Sequence, residues 1–376
     1  MAAPALPSTM RVAVVRSADD IRVERAPVPQ PGPGEALVRV RAAGICSGDL
    51  MPWYIARKAP LVLGHEVAGE VVALGGGEPV APRAGGGPFR VGDRVAVHHH
   101  APCFACRACR RGEPVQCETW RRSRLDPGGV AEYVRVPRVN LEGDTLRLPP
   151  GLSFEDGALV EPTACVVKSL RRGGLRAGDA VAVIGLGVMG LIHVRLAKAA
   201  GASPVVGIDL DADRCAAGLA HGADRTVRPP EEDAAAVLRE ATGGRLADLV
   251  VVGPGTPEAI ALGVALAAPA GRVVLFTPTA PGRTTSIDTN RLYFDEVSLI
   301  PSYSCGPEDT RAALEAIAAG VVRAVDLVTH RAPIEGVAEA YRTMARGGRA
   351  IKSMIVFDAA PGGADQASGR EPLEAL

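Results

Sequence analysis

The chain has 376 residues, which is longer than a single hydrophobic core usually extends, so two domains are expected. Hydrophobic residues make up 47% and charged residues 22%, and no apolar run reaches the roughly twenty residues that a membrane-spanning helix needs. Lys plus Arg and Asp plus Glu both number 42, so no overall field favours nucleic acid or an anionic membrane as a partner.

The first part of the chain, to about residue 160, is predicted to be a β-rich domain. Residues 1–9 lack the features of an export signal and are expected to be disordered, with Met10 opening the first strand. Short Val-rich segments then alternate with Gly- and Pro-rich turns, a pattern typical of a barrel-like meander. These segments are MRVAVV, EALVRVRAAG, EVAGEVVAL, DRVAV and AEYVRV. The Gly- and Pro-rich stretch from Gly75 to Phe89 is predicted to be an exposed loop.

From about Asp179 strands alternate with helices, which predicts a parallel sheet with right-handed crossovers. The segments that carry this pattern are AVAVIG, GLIHVRLAKAAGA, PVVGIDL, ADLVVVG and GRVVLFT. After about residue 301 the pattern of predicted strands and helices is mixed again, and an Ala-rich helix is predicted at EDTRAALEAIAAG. Residues 359–376 are small, polar and rich in Pro and Gly, and we expect them to be disordered.

The segment VAVIGLGVMG predicts a dinucleotide-binding turn, because its glycines directly follow a strand and open a helix. Gly185 would permit the tight turn, Gly187 the approach of backbone to a pyrophosphate, and Gly190 the close packing of helix on strand. Met189 lies in the same turn and is assigned to the cofactor site with them.

Asp209 closes the next predicted strand, 19 residues beyond Gly190. A carboxylate there binds the adenosine ribose hydroxyls and repels a 2′-phosphate, so NAD is expected rather than NADP. Arg214, five residues further on, is expected either to flank the adenine or to be a solvated residue at a helix start.

The segment CFACRACRRGEPVQC contains four of the eight cysteines: Cys103, Cys106, Cys109 and Cys117. Four thiolates fill every position of a tetrahedral zinc site, so this site would stabilise its loop and leave no position for substrate. Clustered cysteines in a chain without an export signal favour metal binding in a reducing cytoplasm. The neighbouring arginines raise the alternative of a nucleic-acid-binding zinc module, but the cysteine spacing and the few aromatic residues favour a solvated basic face.

An open metal site must come from other segments. Cys46 in GICSGDL, His65 and Glu66 in GHEVAGEV, and Glu161 in ALVEPTACVV together offer a thiolate, an imidazole and carboxylates. On composition alone, the alternatives are that the cysteine is a small buried hydrophobe and that the His-Glu pair is a satisfied polar pair.

Taken together, these motifs resemble the zinc-dependent medium-chain dehydrogenases/reductases, in particular the polyol (sorbitol) and threonine dehydrogenases. The resemblance extends from Met10 to about Phe357. It implies an α/β protein with a GroES-like catalytic domain, formed by residues 1–161 and 302–376, and a doubly wound Rossmann NAD-binding domain at residues 162–301.

The resemblance also implies roles for individual residues. Cys46 and His65 match the ligands of the catalytic zinc, and Glu66 matches a ligand or near-ligand. Glu161 stands where a carboxylate contacts that zinc directly or through water. The four clustered cysteines match the structural zinc site, so two zinc ions per chain are expected.

The resemblance also has implications for positions near the zinc ligands and for the path of the substrate proton. Asp49 matches an acid that we expect to pair with Lys352. Where polyol-type relatives carry a relay hydroxyl, this chain has Gly48, and Met51 stands where many have a relay histidine. Ser47 is one residue away and is expected to point elsewhere, so the proton would leave through water and Glu161, or the substrate would differ from a simple alcohol.

The substrate pocket is expected to include Trp53, Tyr54 and Tyr303. Three adjacent histidines at 98–100 are expected to pack against the cysteine lobe, and Cys165, Cys215 and Cys305 to be ordinary buried thiols. His193, His221 and His330 are assigned no role.

The expected activity is reversible oxidation of a secondary alcohol in a polyol, cyclitol, sugar or hydroxy-amino acid to the ketone. A reductase of the same fold acting on a ketone, imine or activated alkene, and a non-catalytic zinc-binding interaction protein, are the alternatives. We expect a cytoplasmic homo-oligomer, a tetramer or a dimer.

Overall fold

The computed structural model describes residues 6–17 and 19–357, and its architecture is α/β, as the sequence predicts. The strands of the described residues are β1 (Thr9–Ser17), β2 (Asp20–Pro27), β3 (Ala36–Gly44), β4 (Leu61–Val62), β5 (Glu66–Leu74), β6 (Arg94–His98), β7 (Tyr133–Val136), β8 (Thr145–Arg147), β9 (Val181–Ile184), β10 (Val205–Ile208), β11 (Arg225–Val227), β12 (Ala247–Val252), β13 (Ala267–Leu275), β14 (Ser298–Pro301), β15 (His330–Ala332) and β16 (Ser353–Val356).

The α-helices of the same residues are α1 (Pro52–Ala56), α2 (Arg107–Arg110), α3 (Glu118–Arg122), α4 (Arg138–Asp144), α5 (Phe154–Ala158), α6 (Val160–Arg172), α7 (Val188–Ala199), α8 (Ala212–Ala220), α9 (Ala234–Thr242), α10 (Pro257–Leu266), α11 (Thr289–Phe294), α12 (Pro307–Ala318), α13 (Ala324–Leu327) and α14 (Val337–Arg346). Short 3₁₀ helices span Ser47–Leu50, Pro114–Gln116 and Ile334–Gly336. No helix among these described residues is long and apolar enough to cross a membrane.

The β-rich domain is built from two sheets that are antiparallel except for the parallel pair β15 and β16, and their apolar sides pack together. One sheet has the order β2-β1-β4, and the other has the order β15-β16-β3-β5-β6-β8, with β7 paired to β3. β3 lies between β5 and β16, and its last residue, Gly44, pairs with both Glu66 and Met354. This register brings the start of β5 and the C-terminal β16 to one end of β3, where the candidate active site lies.

The second domain is a parallel sheet with the order β11-β10-β9-β12-β13-β14. The chain therefore moves outward from β9 in one direction and then in the other, which opens a crevice at the carboxyl ends of β9 and β12. Val181 to Ile184 are buried on both faces, as expected for a parallel strand covered by helices. This order is that of a Rossmann domain and confirms the predicted fold.

A continuous apolar core links the two domains. It contains Ala68 and Ala96 from the β-rich sheet and Val183 and Leu191 from the parallel-sheet domain. The helix α6 crosses the predicted domain boundary at residues 161 and 162. Because α6 packs against both α7 and α12, it belongs to the junction between the domains.

The predicted disorder of residues 1–9 is wrong for residues 6–9. Leu6 packs against the apolar core, the Ser8 carbonyl accepts a hydrogen bond from Val28 N (3.1 Å), and β1 begins at Thr9. Residues 1–5 and the predicted disordered tail, residues 359–376, lie outside the described residues. In the predicted loop from Gly75 to Phe89, only Val80 and Phe89 are buried.

Candidate active site

Three of the four predicted catalytic-zinc ligands lie together. Cys46 precedes the 3₁₀ helix Ser47–Leu50, His65 precedes β5, and Glu66 opens β5. One ligand atom from each of these side chains lies within 4.8 Å of the other two. Thiolate, imidazole and carboxylate are zinc ligands, and three of them leave a coordination position for water or substrate. The donor set therefore fits a catalytic zinc ion.

Lys352 pairs with Glu66, and the predicted pair of Lys352 with Asp49 is wrong. The Lys352 Nζ donates to Glu66 Oε2 and to the Ile45 carbonyl (2.8 Å), and the two charged side chains are each 1% exposed. A Cβ on Gly44 would lie 1.9 Å from Glu66 Oε2, so only glycine leaves room for this ion pair.

Asp49 faces His65 instead. Its Oδ2 lies 3.7 Å from His65 Nδ1 and has no hydrogen-bond partner among the described residues. Burial raises the pKa of Asp49. Burial lowers the pKa of His65, but the charges of Cys46 and Asp49 outweigh this and the net pKa is well above the ordinary value. The surroundings of His65 therefore favour positive charge at this position, and a metal ion bound there would replace the proton on the ring.

Glu161 is not part of this group. It is 9% exposed at the start of α6, and its Oε1 accepts a hydrogen bond from the Cys165 thiol (3.5 Å). Its carboxylate lies within 4.8 Å of ligand atoms of His98 and Cys305. Burial raises the pKa of Glu161.

Two of the three adjacent histidines, His98 and His100, pack against Trp120 in the cysteine lobe as predicted, whereas His99 faces His65. The His98 ring lies 6.3 Å from that of Trp120. The His100 ring lies 4.1 Å from the Trp120 ring, and its Nδ1 lies 2.6 Å from the Ser123 carbonyl. The His99 ring lies 4.8 Å from that of His65, and its Nδ1 is buried without a partner among the described residues. The contact follows from the pairing of β5 with β6, because Glu66 lies opposite His98.

Two of the three predicted pocket aromatics occupy one short helix. Trp53 and Tyr54 lie on α1 with their rings 5.7 Å apart in a T-shaped arrangement. Lys58 Nζ donates to the Tyr54 hydroxyl and lies 3.8 Å from the centre of its ring. Tyr303 is 55% exposed, and its ring lies 5.9 Å from that of Trp120.

The glycine turn has the geometry that the sequence predicts. Gly185 has φ +88°, a value that favours glycine, and its N donates to the Ile208 carbonyl (2.7 Å). Gly187 caps α7, and a Cβ on Gly190 would lie 1.9 Å from the Gly185 carbonyl oxygen. Met189 is the second residue of α7 and packs against the core.

Asp209 and Arg214 flank this turn. Asp209 follows β10, and its carboxylate accepts hydrogen bonds from Leu186 N (2.7 Å) and Asp211 N (3.0 Å). The Arg214 guanidinium lies over the turn, 3.7 Å from where a Cβ on Gly187 would be, and its Nε is buried without a partner in the described part of the chain. Its place beside the adenine stays a prediction.

The four cysteines of the lobe converge as predicted, each with a ligand atom within 4.8 Å of the others. Cys106 Sγ lies 3.5 Å from Cys109 Sγ, and Cys117 Sγ lies 3.6 Å from Cys103 Sγ. Sulfur atoms around a tetrahedral zinc ion are about 3.8 Å apart for Zn–S bonds of about 2.3 Å. The lobe therefore fits a closed, structural zinc site.

Comparison with known proteins supports both domains. Residues 32–143 match the alcohol dehydrogenase GroES-like domain family, and residues 188–319 match the zinc-binding dehydrogenase family. The L-threonine 3-dehydrogenase of Pyrococcus horikoshii is 37% identical over 70% of this chain and 74% of its own length. The sorbitol dehydrogenase of Gallus gallus is 31% identical over 92% of this chain and 96% of its own.

Among solved structures, the 2R,3R-butanediol dehydrogenase of Bacillus subtilis superimposes with a TM-score of 0.79 at 27% identity, covering 92% of this chain and 99% of its own. The predicted family, fold and enzymatic nature are thereby confirmed. The chain belongs to the zinc-dependent medium-chain alcohol dehydrogenases, in the branch of the polyol and threonine dehydrogenases.

Proposed function

We propose that this dehydrogenase oxidises a secondary alcohol in a small polar substrate to the ketone and transfers the hydride to NAD. The substrate class is a polyol, cyclitol, sugar or hydroxy-amino acid. The observation that carries the proposal is the convergence of Cys46, His65 and Glu66 on one point. The relatives named for threonine, sorbitol and butanediol support a substrate with neighbouring polar groups.

The side chains around this point hold its donor groups in place. A zinc ion bound by Cys46, His65 and Glu66 would supply Lewis acidity that lowers the pKa of a substrate hydroxyl. Lys352 fixes Glu66 through their buried ion pair, and Asp49 lies beside the His65 ring, as carboxylates do beside metal-binding histidines. Glu161 lies outside the group, so we assign its contact with this zinc to an intervening water.

The substrate proton leaves through water and Glu161 in this proposal. Gly48 carries no hydroxyl, and the side chain of Ser47 is exposed. The missing relay hydroxyl also motivates the second candidate, a reductase of this fold acting on a ketone, imine or activated alkene.

NAD is the proposed cofactor, with NADP disfavoured. The pyrophosphate would lie on the backbone N–H groups at the start of α7, which have no acceptor within the helix. Asp209 follows β10 at the carboxyl edge of the sheet, where its charge would repel a 2′-phosphate. We place Arg214 beside the adenosine, and Met189 with Gly185, Gly187 and Gly190 in the cofactor turn.

Zinc at the three-ligand group and at the cysteine lobe gives the two proposed ions, one catalytic and one structural. We further propose residues 1–161 and 302–376 as the catalytic domain, residues 162–301 as the NAD domain, and a cytoplasmic homotetramer or dimer. Trp53, Tyr54 and Tyr303 form the proposed substrate pocket, because two of them adjoin the Cys46 segment and the third lies near Trp120 of the lobe.

The test is a substrate screen with both directions measured. NAD reduction is followed with polyols, cyclitols, sugars and amino-acid alcohols, and NADH oxidation with the matching ketones, imines and activated alkenes. Formation of NADH with a secondary alcohol supports the proposal. NADH consumption by carbonyl, iminium or alkene compounds, with no alcohol giving NADH, supports the reductase instead.

A further inference from the structure

Three buried polar groups beside the candidate active site have no hydrogen-bond partner among the described residues. They are the Tyr341 hydroxyl on α14, Asp49 Oδ2 in the 3₁₀ helix Ser47–Leu50, and the Ser353 hydroxyl at the start of β16. Tyr341 and Ser353 are 4% and 0% exposed, and the Asp49 side chain is 7% exposed. Buried polar groups are almost always paired with protein or with ordered water, so each of these groups requires a partner.

The three groups lie on elements that pack against one another. α14 contacts both that 3₁₀ helix and β16. The Ser353 carbonyl accepts a hydrogen bond from Ile45 N (3.1 Å), at the start of the segment that leads into the 3₁₀ helix. Ser353 and Ile355 point to the same face of β16, and Ile355 shares an apolar core with Tyr341. The side chains of Ser353 and Tyr341 therefore lie on the same side of this strand.

The charges around Tyr341 are those of the candidate active site. Burial raises the pKa of Tyr341 well above its ordinary value, and the charges of Asp49, Cys46 and Glu66 raise it further, with that of Asp49 first. The phenol ring therefore brings its hydroxyl toward the Asp49 carboxylate.

Packing alone does not explain a tyrosine at this position. Tyr341 belongs to an apolar core, where phenylalanine would fill the same space without burying a hydroxyl. A phenol O–H donates and a carboxylate accepts, so Tyr341 and Asp49 are complementary. They make no direct hydrogen bond, and a water molecule between them would satisfy both groups. The Ser353 hydroxyl would give that water a third partner.

We propose that Tyr341 is a positioning residue for the catalytic zinc site and donates through one ordered water to Asp49 Oδ2, with Ser353 as the third partner of that water. The inference rests on the proposed function, because it concerns the zinc site of that reaction. Asp49 Oδ2 lies 3.7 Å from His65 Nδ1, and a carboxylate held beside a metal-binding histidine fixes the orientation of the ring. Tyr341 extends this support of His65 to α14.

Tyr341→Phe tests the proposal, because it removes one oxygen atom and keeps the ring. Full-length proteins expressed with zinc are mixed with a colorimetric zinc chelator, and the release of zinc is followed in time. Cys46→Ser identifies the phase that belongs to the catalytic site, because this variant should lack it. Loss of a group that directly holds a metal-binding histidine weakens metal binding by about 10–100-fold. Tyr341 acts one contact further away, so Tyr341→Phe is expected to release the catalytic zinc about three- to tenfold faster, with the lobe zinc unchanged.

Tyr133→Phe is the matched control. Tyr133 packs against the same apolar core as Tyr341, but it lies on β7, which pairs with the end of β3 away from Gly44. Its loss of a hydroxyl should leave both phases of zinc release at the wild-type rates. Circular dichroism identifies the variants that fold.

A crystal structure of the wild-type protein tests the water without any substitution. Density for one water within hydrogen-bonding distance of Tyr341 Oη, Asp49 Oδ2 and Ser353 Oγ is expected. A Tyr341 hydroxyl bonded to another group would overturn the proposal, and so would a catalytic phase of zinc release in Tyr341→Phe that matches wild type. Equal acceleration of both phases would overturn it as well, because it would indicate a general loosening of the domain. None of these measurements requires turnover, so failure of the proposed reaction is detected separately by the substrate screen.

Discussion

Gly44→Ala is predicted to damage the candidate active site without altering any charged side chain. The added Cβ would lie 1.9 Å from Glu66 Oε2 and 3.1 Å from Lys352 Cε, and the register of β3 between two strands prevents the backbone from moving away. Glu66 and Lys352 must therefore separate. Removing the compensation of a buried ion pair costs about 3–5 kcal/mol, so the free energy of unfolding of this domain should fall by that amount.

Tryptophan fluorescence in urea measures this loss selectively, because the two tryptophans, Trp53 and Trp120, both belong to the β-rich domain. The matched control is Gly76→Ala, since a Cβ at Gly76 has nothing within 4 Å and the change should cost less than about 1 kcal/mol. Zinc content should also fall in Gly44→Ala, because Glu66 is displaced. If Gly44→Ala unfolds at the same urea concentration as Gly76→Ala and keeps its zinc, the ion pair of Glu66 and Lys352 does not depend on the space beside Gly44, and the reasoning is refuted.

Three further predictions concern single residues. Cys46→Ser should abolish turnover and lower the zinc content by one equivalent with unchanged circular dichroism; full residual activity would refute its role as a ligand. Asp209→Ala should lower the ratio of kcat/KM for NAD to that for NADP, and an unchanged ratio would exclude its contact with the ribose. His193 is buried and its pKa is lowered by burial to about 4, so the unfolded chain binds more protons between about pH 6.5 and 4. Stability should therefore fall as the pH drops through that window, by about 3 kcal/mol at pH 4, while His193→Gln should show a shallower decline; identical urea midpoints for both proteins across the window would contradict this.

Much of the fold could be predicted from sequence because its signals are local. The alternation of strands with helices and the glycine turn specify the parallel sheet, and the structure places Gly185, Gly187 and Gly190 as that reasoning requires. The cysteine spacing likewise specified the lobe. In both cases the residues that meet are neighbours in the chain.

The contacts that sequence reasoning missed depend on how distant strands pair. Lys352 binds Glu66 and not Asp49, because β16 and β5 flank the same end of β3. His99 reaches His65 through the register of β5 on β6, a signal that aligning the two predicted strands as an antiparallel pair could have revealed.

The separation of Glu161 from the other predicted zinc ligands also has a tertiary cause. Glu161 is held in the first turn of α6, and its nearest ligand groups come from the end of β6 and from Cys305. Cys305 is 207 residues from His98 in the chain, so no local pattern indicates that they meet.

Anomalous diffraction at the zinc edge, on crystals grown with NAD and a product ketone, would test the central claim most directly. A zinc peak within bonding distance of Cys46 Sγ, His65 and Glu66, facing the nicotinamide across the crevice, is the predicted result. An absence of zinc between these three side chains, or a nicotinamide directed away from them, would contradict the account.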